Sequence, residues 1–301
     1  MPSQAMQDAI DVERDRRRTA PAGRVAPSLH EQRAAFVPAD RLYPIPDDVL
    51  VTDVVPSGVP AHWLDAPGTN TGRVLLFLHG GGYELGSVRS HGELAARLGR
   101  AAGMRVLFLE YRLAPEHPFP AAIDDVLAAW HWLRGDQHVS ARSIALAGDS
   151  AGGGLSVALL VALRDAGEAL PAAAVLMAPT VDLTNSGASM SERVDQDLIS
   201  TPVLLRQLSS DYLAGADPKT PLASPLFASM AGLPPLLIQA GTADLLLSDS
   251  ERLTTAASEA GVDVTLQIGE GLPHVYQTTL GTPEAAEATE QIGQFLRDRV
   301  C

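Results

Sequence analysis

The chain has 301 residues, 46% of them hydrophobic, a formal net charge of −14 and a pI near 4.9. That length suits one large α/β domain with an insertion, or two small domains. Lys219 is the only lysine and the one basic run, Arg16-Arg17-Arg18, sits among acids, so no clustered basic surface exists for a nucleic acid partner.

Residues 1–45 are charged, with short apolar clusters at Leu29 and at Ala34-Ala35-Phe36-Val37. Residues 1–18 lack an apolar signal core, and no apolar run is long enough to span a membrane. Cys301 is the only cysteine, so no internal disulfide points to an oxidising compartment, and a soluble cytoplasmic protein is expected. Ser28-Leu29-His30-Glu31 has the form of a capping box and predicts a short helix. Residues 49–55 and 61–64, separated by the turn Pro56-Ser57-Gly58, read as antiparallel edge strands.

Strand–helix alternation follows. Residues 74–78, 106–109, 144–147, 173–177, 236–238 and 262–268 read as strands, several apolar at every position, as in a sheet buried on both faces. Residues 89–102, 121–133, 153–166, 248–260 and 284–299 read as helices. Residues 182–217 are irregular and mixed, with a helix expected after Pro202. The pattern predicts a parallel sheet with helices on both faces.

Two glycine-rich stretches lie at the ends of such strands. Gly148-Asp149-Ser150-Ala151-Gly152 stands between an apolar strand and an Ala/Leu-rich helix and reads G-x-S-x-G. There a tight turn lifts a serine hydroxyl to a helix N-terminus, where unpaired N–H groups favour developing negative charge. His79-Gly80-Gly81-Gly82-Tyr83 follows the strand at 74–78. Its backbone is free to aim N–H groups at one point, and acyl transfer needs such donors for its oxyanion; Gly81, Gly82 and Ala151 are the candidates.

A serine nucleophile needs a base and an acid. Of eight histidines, His274 follows the last strand, where the order Ser…Asp…His places the base. His79 is expected to anchor the glycine loop, and His91 and His117 to border a cleft. Asp244, after the strand at 236–238, fits the acid, whereas Asp249 is expected to cap the helix beginning near Ser250. No cluster of His, Cys or Asp has the spacing of a metal site, and neither metal nor cofactor is expected.

His-Gly-Gly-Gly-Tyr, the run Tyr-Arg-Leu-Ala-Pro-Glu-His-Pro-Phe-Pro-Ala-Ala at 111–122, and Gly-Asp-Ser-Ala-Gly-Gly together resemble the bacterial hormone-sensitive-lipase family of carboxylesterases, over roughly residues 28–300. The resemblance implies an α/β-hydrolase, with a mostly parallel eight-stranded sheet flanked by helices and a helical cap. The cap would comprise 1–45 and 182–217, and the core 46–181 and 218–301. It implies Ser150 as nucleophile, Asp244 as acid, His274 as base, and an oxyanion hole at Gly81, Gly82 and Ala151. Val275-Tyr276 after the base and Asp244-Leu245-Leu246 depart from the commoner Gly-Phe and Asp-Pro-Leu. Both variants resemble a subgroup of monoterpene lactone hydrolases and acetyl-hydrolases.

The expected function is hydrolysis of short- to medium-chain carboxylic esters through an acyl-enzyme, with a small-molecule ester as partner. A lactone hydrolase or small-molecule deacetylase is the alternative, and a non-catalytic binding protein on the same fold the competitor from another class. The alternating strand at 262–268, expected at or near a sheet edge and charged only at Asp263, also suggests a homodimer through the last strand and helix.

Overall fold

Strands that are apolar at every position must be covered on both faces, and that demand organises the chain. The computed structural model describes residues 1–19, 28–36 and 43–301; Val37 and the stretches 20–27 and 37–42 of the expected N-terminal cap segment lie outside the described residues. Eight strands form one sheet: β1 (Leu50–Val54), β2 (Ala61–Asp65), β3 (Asn70–Leu78), β4 (Met104–Leu109), β5 (Ile144–Asp149), β6 (Ala174–Met177), β7 (Leu236–Ala243) and β8 (Val264–Pro273). Their order is β1-β2-β4-β3-β5-β6-β7-β8. β1 and β2 pair antiparallel, β2 runs antiparallel to β4, and the remaining pairs are parallel. Of the two expected edge strands, β1 is thus at one edge of the sheet, with β8 at the other, while β2 is paired on both sides.

Each inner strand sends alternate side chains to opposite faces. Leu75, Phe77, Val106 and Phe108 meet Leu94 and Leu98 of α3 (Val88–Ala102) and Ile292 and Leu296 of α9 (Pro283–Arg297). Leu76, Leu78, Leu146, Leu176 and Ile238 meet α4 (Ala121–Gly135), α5 (Ala151–Asp165) and α8 (Leu247–Glu259) through Ile123, Trp130, Leu155, Leu159 and Leu253. Helices therefore cover both faces, as the alternation of apolar runs predicts.

Two strands exceed their apolar runs. β3 begins at Asn70 because its polar start pairs with Met104 while remaining exposed. β8 continues to Pro273 beside the end of β7, where Gly241 lies so close to the Leu272 carbonyl that a Cβ would sit 2.0 Å from its oxygen.

Among the described residues, four further helices lie outside the core layers. α1 (Gln4–Thr19) buries Met6 and Ile10 against Leu272, Tyr276 and Ala288. α2 (Leu29–Ala35) starts at the reciprocal Ser28–Glu31 capping box. Between β6 and β7 lie α6 (Ser189–Glu192) and α7 (Pro202–Leu213), the latter capped by the Thr201 hydroxyl. Among the described residues, no helix is long and apolar enough to cross a membrane.

Candidate active site

β5 ends at Asp149 and α5 begins at Ala151, so Ser150 makes the whole turn. Its φ of 51° and ψ of −119° lie outside the ordinary regions for a side-chain-bearing residue. Neighbouring backbone holds it there. The Ser150 N–H donates to Met177 O at 2.8 Å, and its carbonyl accepts from Thr180 N–H at 2.9 Å and Gly154 N–H at 3.1 Å. A Cβ at Gly152 would sit 1.9 Å from the Leu78 carbonyl oxygen, which is why the turn tolerates no side chain there. Ala151 is fully buried at the first position of α5, where an N–H has no intrahelical acceptor.

The glycine loop is set at the end of β3 with φ of 114° at Gly81 and 65° at Gly82. Several bonds fix it. Gly80 N–H donates to Asp149 Oδ1 at 3.0 Å, Tyr111 O–H to His79 O at 2.7 Å, and Leu85 N–H to Gly81 O at 2.9 Å. The His79 ring stacks on Tyr111 at 4.4 Å and its Nδ1 bonds to Gly80 O at 2.8 Å, so this histidine anchors the loop. Burial, with His91 nearby, pushes His79 down to about 4 and keeps the ring neutral. Burial works against ionisation of Asp149, yet His91, whose Nε2 lies 3.4 Å from Oδ2, and Gly80 N–H hold its pKa below the usual value.

His274 immediately follows β8, and Asp244 immediately follows β7. Parallel neighbours end side by side, so residues thirty apart in sequence meet. His274 Nδ1 lies 2.9 Å from Asp244 Oδ2, and the other carboxylate oxygen accepts Leu246 N–H at 2.8 Å. Burial lowers the basicity of His274, but the contact with Asp244, together with the charges of Asp197 and Asp149, outweighs this and raises it to about 9. Asp249 is elsewhere. The expectation that it caps a helix near Ser250 is corrected, because α8 begins at Leu247 and Asp249 lies inside it. Its carboxylate instead accepts Val181 N–H at 2.8 Å and Asp182 N–H at 3.0 Å, tying down the loop after β6. Burial pushes it up to about 7.

Ser150, Gly81, Gly82 and His274 share one cavity of about 290 Å³. Gln32 and Phe36, in and just after α2, and Leu204, Leu205 and Leu208 of α7 line it from the other side, with Ile199 and Ser200 between. Within the insertion, Ile199, Leu204 and Leu205 line the cavity. Leu198 packs beside Met6 and Tyr276, and Tyr212 stacks on Tyr83 at 3.8 Å. Leu208, one helical turn after Leu204, lines the cavity as well. His91 also lines the cavity, whereas His117 is exposed. Among the described residues, no three His, Cys, Asp or Glu side chains are grouped to hold a metal ion.

Strand order, the strained serine turn and the glycine loop define an α/β-hydrolase, and a family model of the alpha/beta hydrolase fold matches residues 75–278. The chain is 47% identical over 249 residues to an acetyl-hydrolase of Streptomyces hygroscopicus, covering 81% of this chain and 82% of that one. It is 33% identical to an esterase of Acinetobacter venetianus, covering 85% and 84%. A crystal structure of an esterase from the bacterial hormone-sensitive lipase family superposes over the full length of both chains, with a TM-score of 0.94 and 41% identity. The chain belongs to the bacterial hormone-sensitive lipase family of α/β-hydrolases and is a carboxylic ester hydrolase.

Proposed function

We propose that the chain hydrolyses short- to medium-chain carboxylic esters through an acyl-enzyme on Ser150, with His274 as base and Asp244 as acid. The observation that carries this reading is the 2.9 Å His274–Asp244 contact in the cavity that also holds Ser150. A serine hydroxyl is a weak nucleophile at neutral pH. His274 takes its proton as Ser150 Oγ attacks the ester carbonyl carbon. The carbonyl oxygen becomes an oxyanion facing the N–H groups of Gly81, Gly82 and Ala151. Collapse breaks the bond to the alcohol oxygen, which leaves with the proton from His274. Water then gives a proton to His274 and attacks the acyl-enzyme, releasing the acid and restoring Ser150. Asp244 holds the imidazole tautomer and stabilises the imidazolium.

The segments 1–45 and 182–217 are the two parts of the proposed cap over a core of 46–181 and 218–301. Phe36, just after α2, and Leu204, Leu205 and Leu208 of α7 line the cavity, which supports this division. A volume of about 290 Å³ is at the lower end of ligand pockets, roughly 300–1,000 Å³, and favours short acyl groups over long chains. The 47% identical acetyl-hydrolase favours removal of acetyl groups from small molecules as the second reading. β8 is an edge strand with Ile268 45% exposed, which supports a homodimer through β8 and α9. Sedimentation at micromolar concentration tests it, and a mass near 31.7 kDa rejects it.

The deciding experiment is a turnover panel of p-nitrophenyl esters from acetate to palmitate, with intact-mass detection of the acylated protein. The expected result is best turnover on short and medium chains and an acyl adduct that is absent from Ser150→Ala. Rates rising steadily to palmitate, or an adduct on the alanine variant, would overturn the reading.

A further inference from the structure

Asp197 stands in the insertion between β6 and β7, and the steps above make no use of it. Its side chain is 1% exposed. Oδ1 accepts the N–H groups of Ile199 at 2.7 Å and Ser200 at 2.8 Å, and Oδ2 accepts Leu245 N–H at 2.9 Å. Ile199 and Ser200 form part of the cavity wall, and Leu245 is the residue after Asp244. One carboxylate therefore joins the wall to the loop that carries the acid. From the other side, Arg17 of α1 donates to the carbonyl oxygens of Asp197 at 3.0 Å and Ser200 at 3.2 Å.

Burying a carboxylate is costly unless hydrogen bonds satisfy it, and three N–H groups do so here. A neutral acceptor would serve as a plain loop staple at lower cost. The charge has a second addressee. Asp244 contacts His274 at 2.9 Å, and the buried carboxylates of Asp197 in the insertion and Asp149 at the end of β5 add negative charge that also favours the imidazolium. Arg17 is the cation that reaches the same segment, through its main chain.

We propose that Asp197 is a positioning residue for ester hydrolysis. It holds the Asp244 loop through Leu245 and supplies a further negative charge to His274 as that ring takes the Ser150 proton. The inference rests on the assignment of Ser150, His274 and Asp244 above. Its consequence is that wall and base are linked. A substrate that displaces Ile199 and Ser200 pulls on the same carboxylate that supports His274.

The test is the pH dependence of kcat/KM on a short p-nitrophenyl ester, using the full chain. Removing a negative charge makes the imidazolium less stable, so Asp197→Asn moves the midpoint of the acid limb to lower pH, by on the order of one unit. The plateau rate falls roughly 10-fold or more, because the loop shifts and the imidazolium loses support. Arg17→Ala loosens the wall without touching the carboxylate, so KM rises and the limb stays in place. A folded Asp197→Asn with an unmoved limb overturns the proposal, as does an equal shift in Arg17→Ala. Should the asparagine variant not fold, Asp197→Ser keeps a short acceptor for the Ile199 and Ser200 N–H groups without the charge, and the same shift is expected. Failure of both to fold assigns Asp197 to folding alone and also overturns it. Ser150→Ala run in parallel separates the two levels. Wild-type turnover there sinks the nucleophile assignment, whereas a dead Ser150→Ala with an unmoved Asp197→Asn limb sinks only this step.

Discussion

The two sides of the cavity are built differently. On the floor, the Ser150 turn, the glycine loop and the His274–Asp244 pair stand at the ends of parallel strands, braced by backbone hydrogen bonds and fully buried neighbours. On the roof, α2 has seven residues, none of them buried, and α7 exposes Val203 by 76% and Leu204 by 43%. α2 is held by Arg33, which bonds to Glu84 O at 2.8 Å, Ala114 O at 3.0 Å and the Glu116 carboxylate. Donors that must meet a developing charge gain from being fixed beforehand, whereas walls that accept a variable acyl group gain from having few constraints. Chemistry should therefore respond to floor substitutions by orders of magnitude, and selectivity to roof substitutions by much less.

The floor carries the largest expected losses. Ser150→Ala should lower kcat by roughly 10⁴-fold or more with an unchanged melting temperature, because only a small side chain at a turn is trimmed. Asp244→Asn should cost about 10⁴-fold, the loss that a mis-set histidine tautomer causes in the serine protease triad. Asp249→Asn is the matched control. Its carboxylate binds the N–H groups of Val181 and Asp182, so the expected loss is in melting temperature, with kcat near the wild type. Equal kcat losses in the two variants would remove Asp244 from the reaction.

The glycine loop tests how far floor and roof are independent. A Cβ at Gly81 would sit 2.4 Å from the Leu85 carbonyl oxygen, which is backbone and cannot move aside. A Cβ at Gly82 would sit 2.6 Å from Leu208 Cδ1, a roof side chain. Gly81→Ala should therefore lose roughly 10²- to 10³-fold in kcat, the scale of one oxyanion donor. Gly82→Ala should lose less, and Leu208→Ala added to it should recover part of the loss. Absence of any recovery would mean that the backbone at Gly82, not the roof, sets the cost.

The acid limb of the pH profile ties rate to the protonation of His274. His274 must be neutral to accept a proton, and its acidity is set near 9, so kcat/KM should climb tenfold per unit from neutral pH and level off above that point. Stability runs the other way. A histidine whose folded pKa lies above its unfolded value of about 6.5 contributes stability that is complete below 6.5 and lost as pH rises through about 9. The pH window of highest rate is thus the one where the His274–Asp244 contact contributes least. A pH profile of kcat/KM together with melting temperatures over the same range checks both signs, and Asp244→Asn should move the limb to lower pH.

Floor and roof also differ in how much of them can be read from sequence. Ser150, Gly81 and Gly82 are constrained by their own turns, so local residue type carries the signal. His274 and Asp244 follow from strand order, since parallel neighbours end together. Asp249 was misplaced as a cap because α8 starts three residues earlier than the Ser250 that suggested its beginning, and the partners of its carboxylate are backbone groups some seventy residues away. The same blindness covers Asp197. Its spacing to Ile199 and Ser200 has the form of a local Asx turn, but Leu245 is reached only through the fold. Phe36 stands out only as part of an apolar cluster and Gln32 not at all, because which residues in and just after a seven-residue helix meet a cavity is decided by tertiary packing.

Phe36 gives the smallest and most selective expected effect. It lines the catalytic cavity and also a second one, of about 290 Å³, bounded by Arg33, Ala34, Gly86, Ser87 and Ser90. Its ring centroid lies 5.9 Å from that of His91, which also lines the catalytic cavity. Phe36→Ala should open the wall and let a longer acyl chain pass from one space into the other. The ring is 38% exposed, so trimming it leaves little buried surface unfilled and stability should hardly change. A few added methylenes buried in the joined space are worth roughly 1–3 kcal/mol, so kcat/KM for octanoate relative to butyrate should rise about 10-fold. The rate on p-nitrophenyl acetate, which does not reach the wall, should stay as it was. Val203→Ala is the comparison on the same roof, exposed and away from the cavity, and should leave the chain-length profile unchanged. An unaltered octanoate-to-butyrate ratio in Phe36→Ala would show that acyl groups leave Ser150 in another direction, towards Leu204 and Leu205, and would shift the selectivity of the roof from α2 to α7.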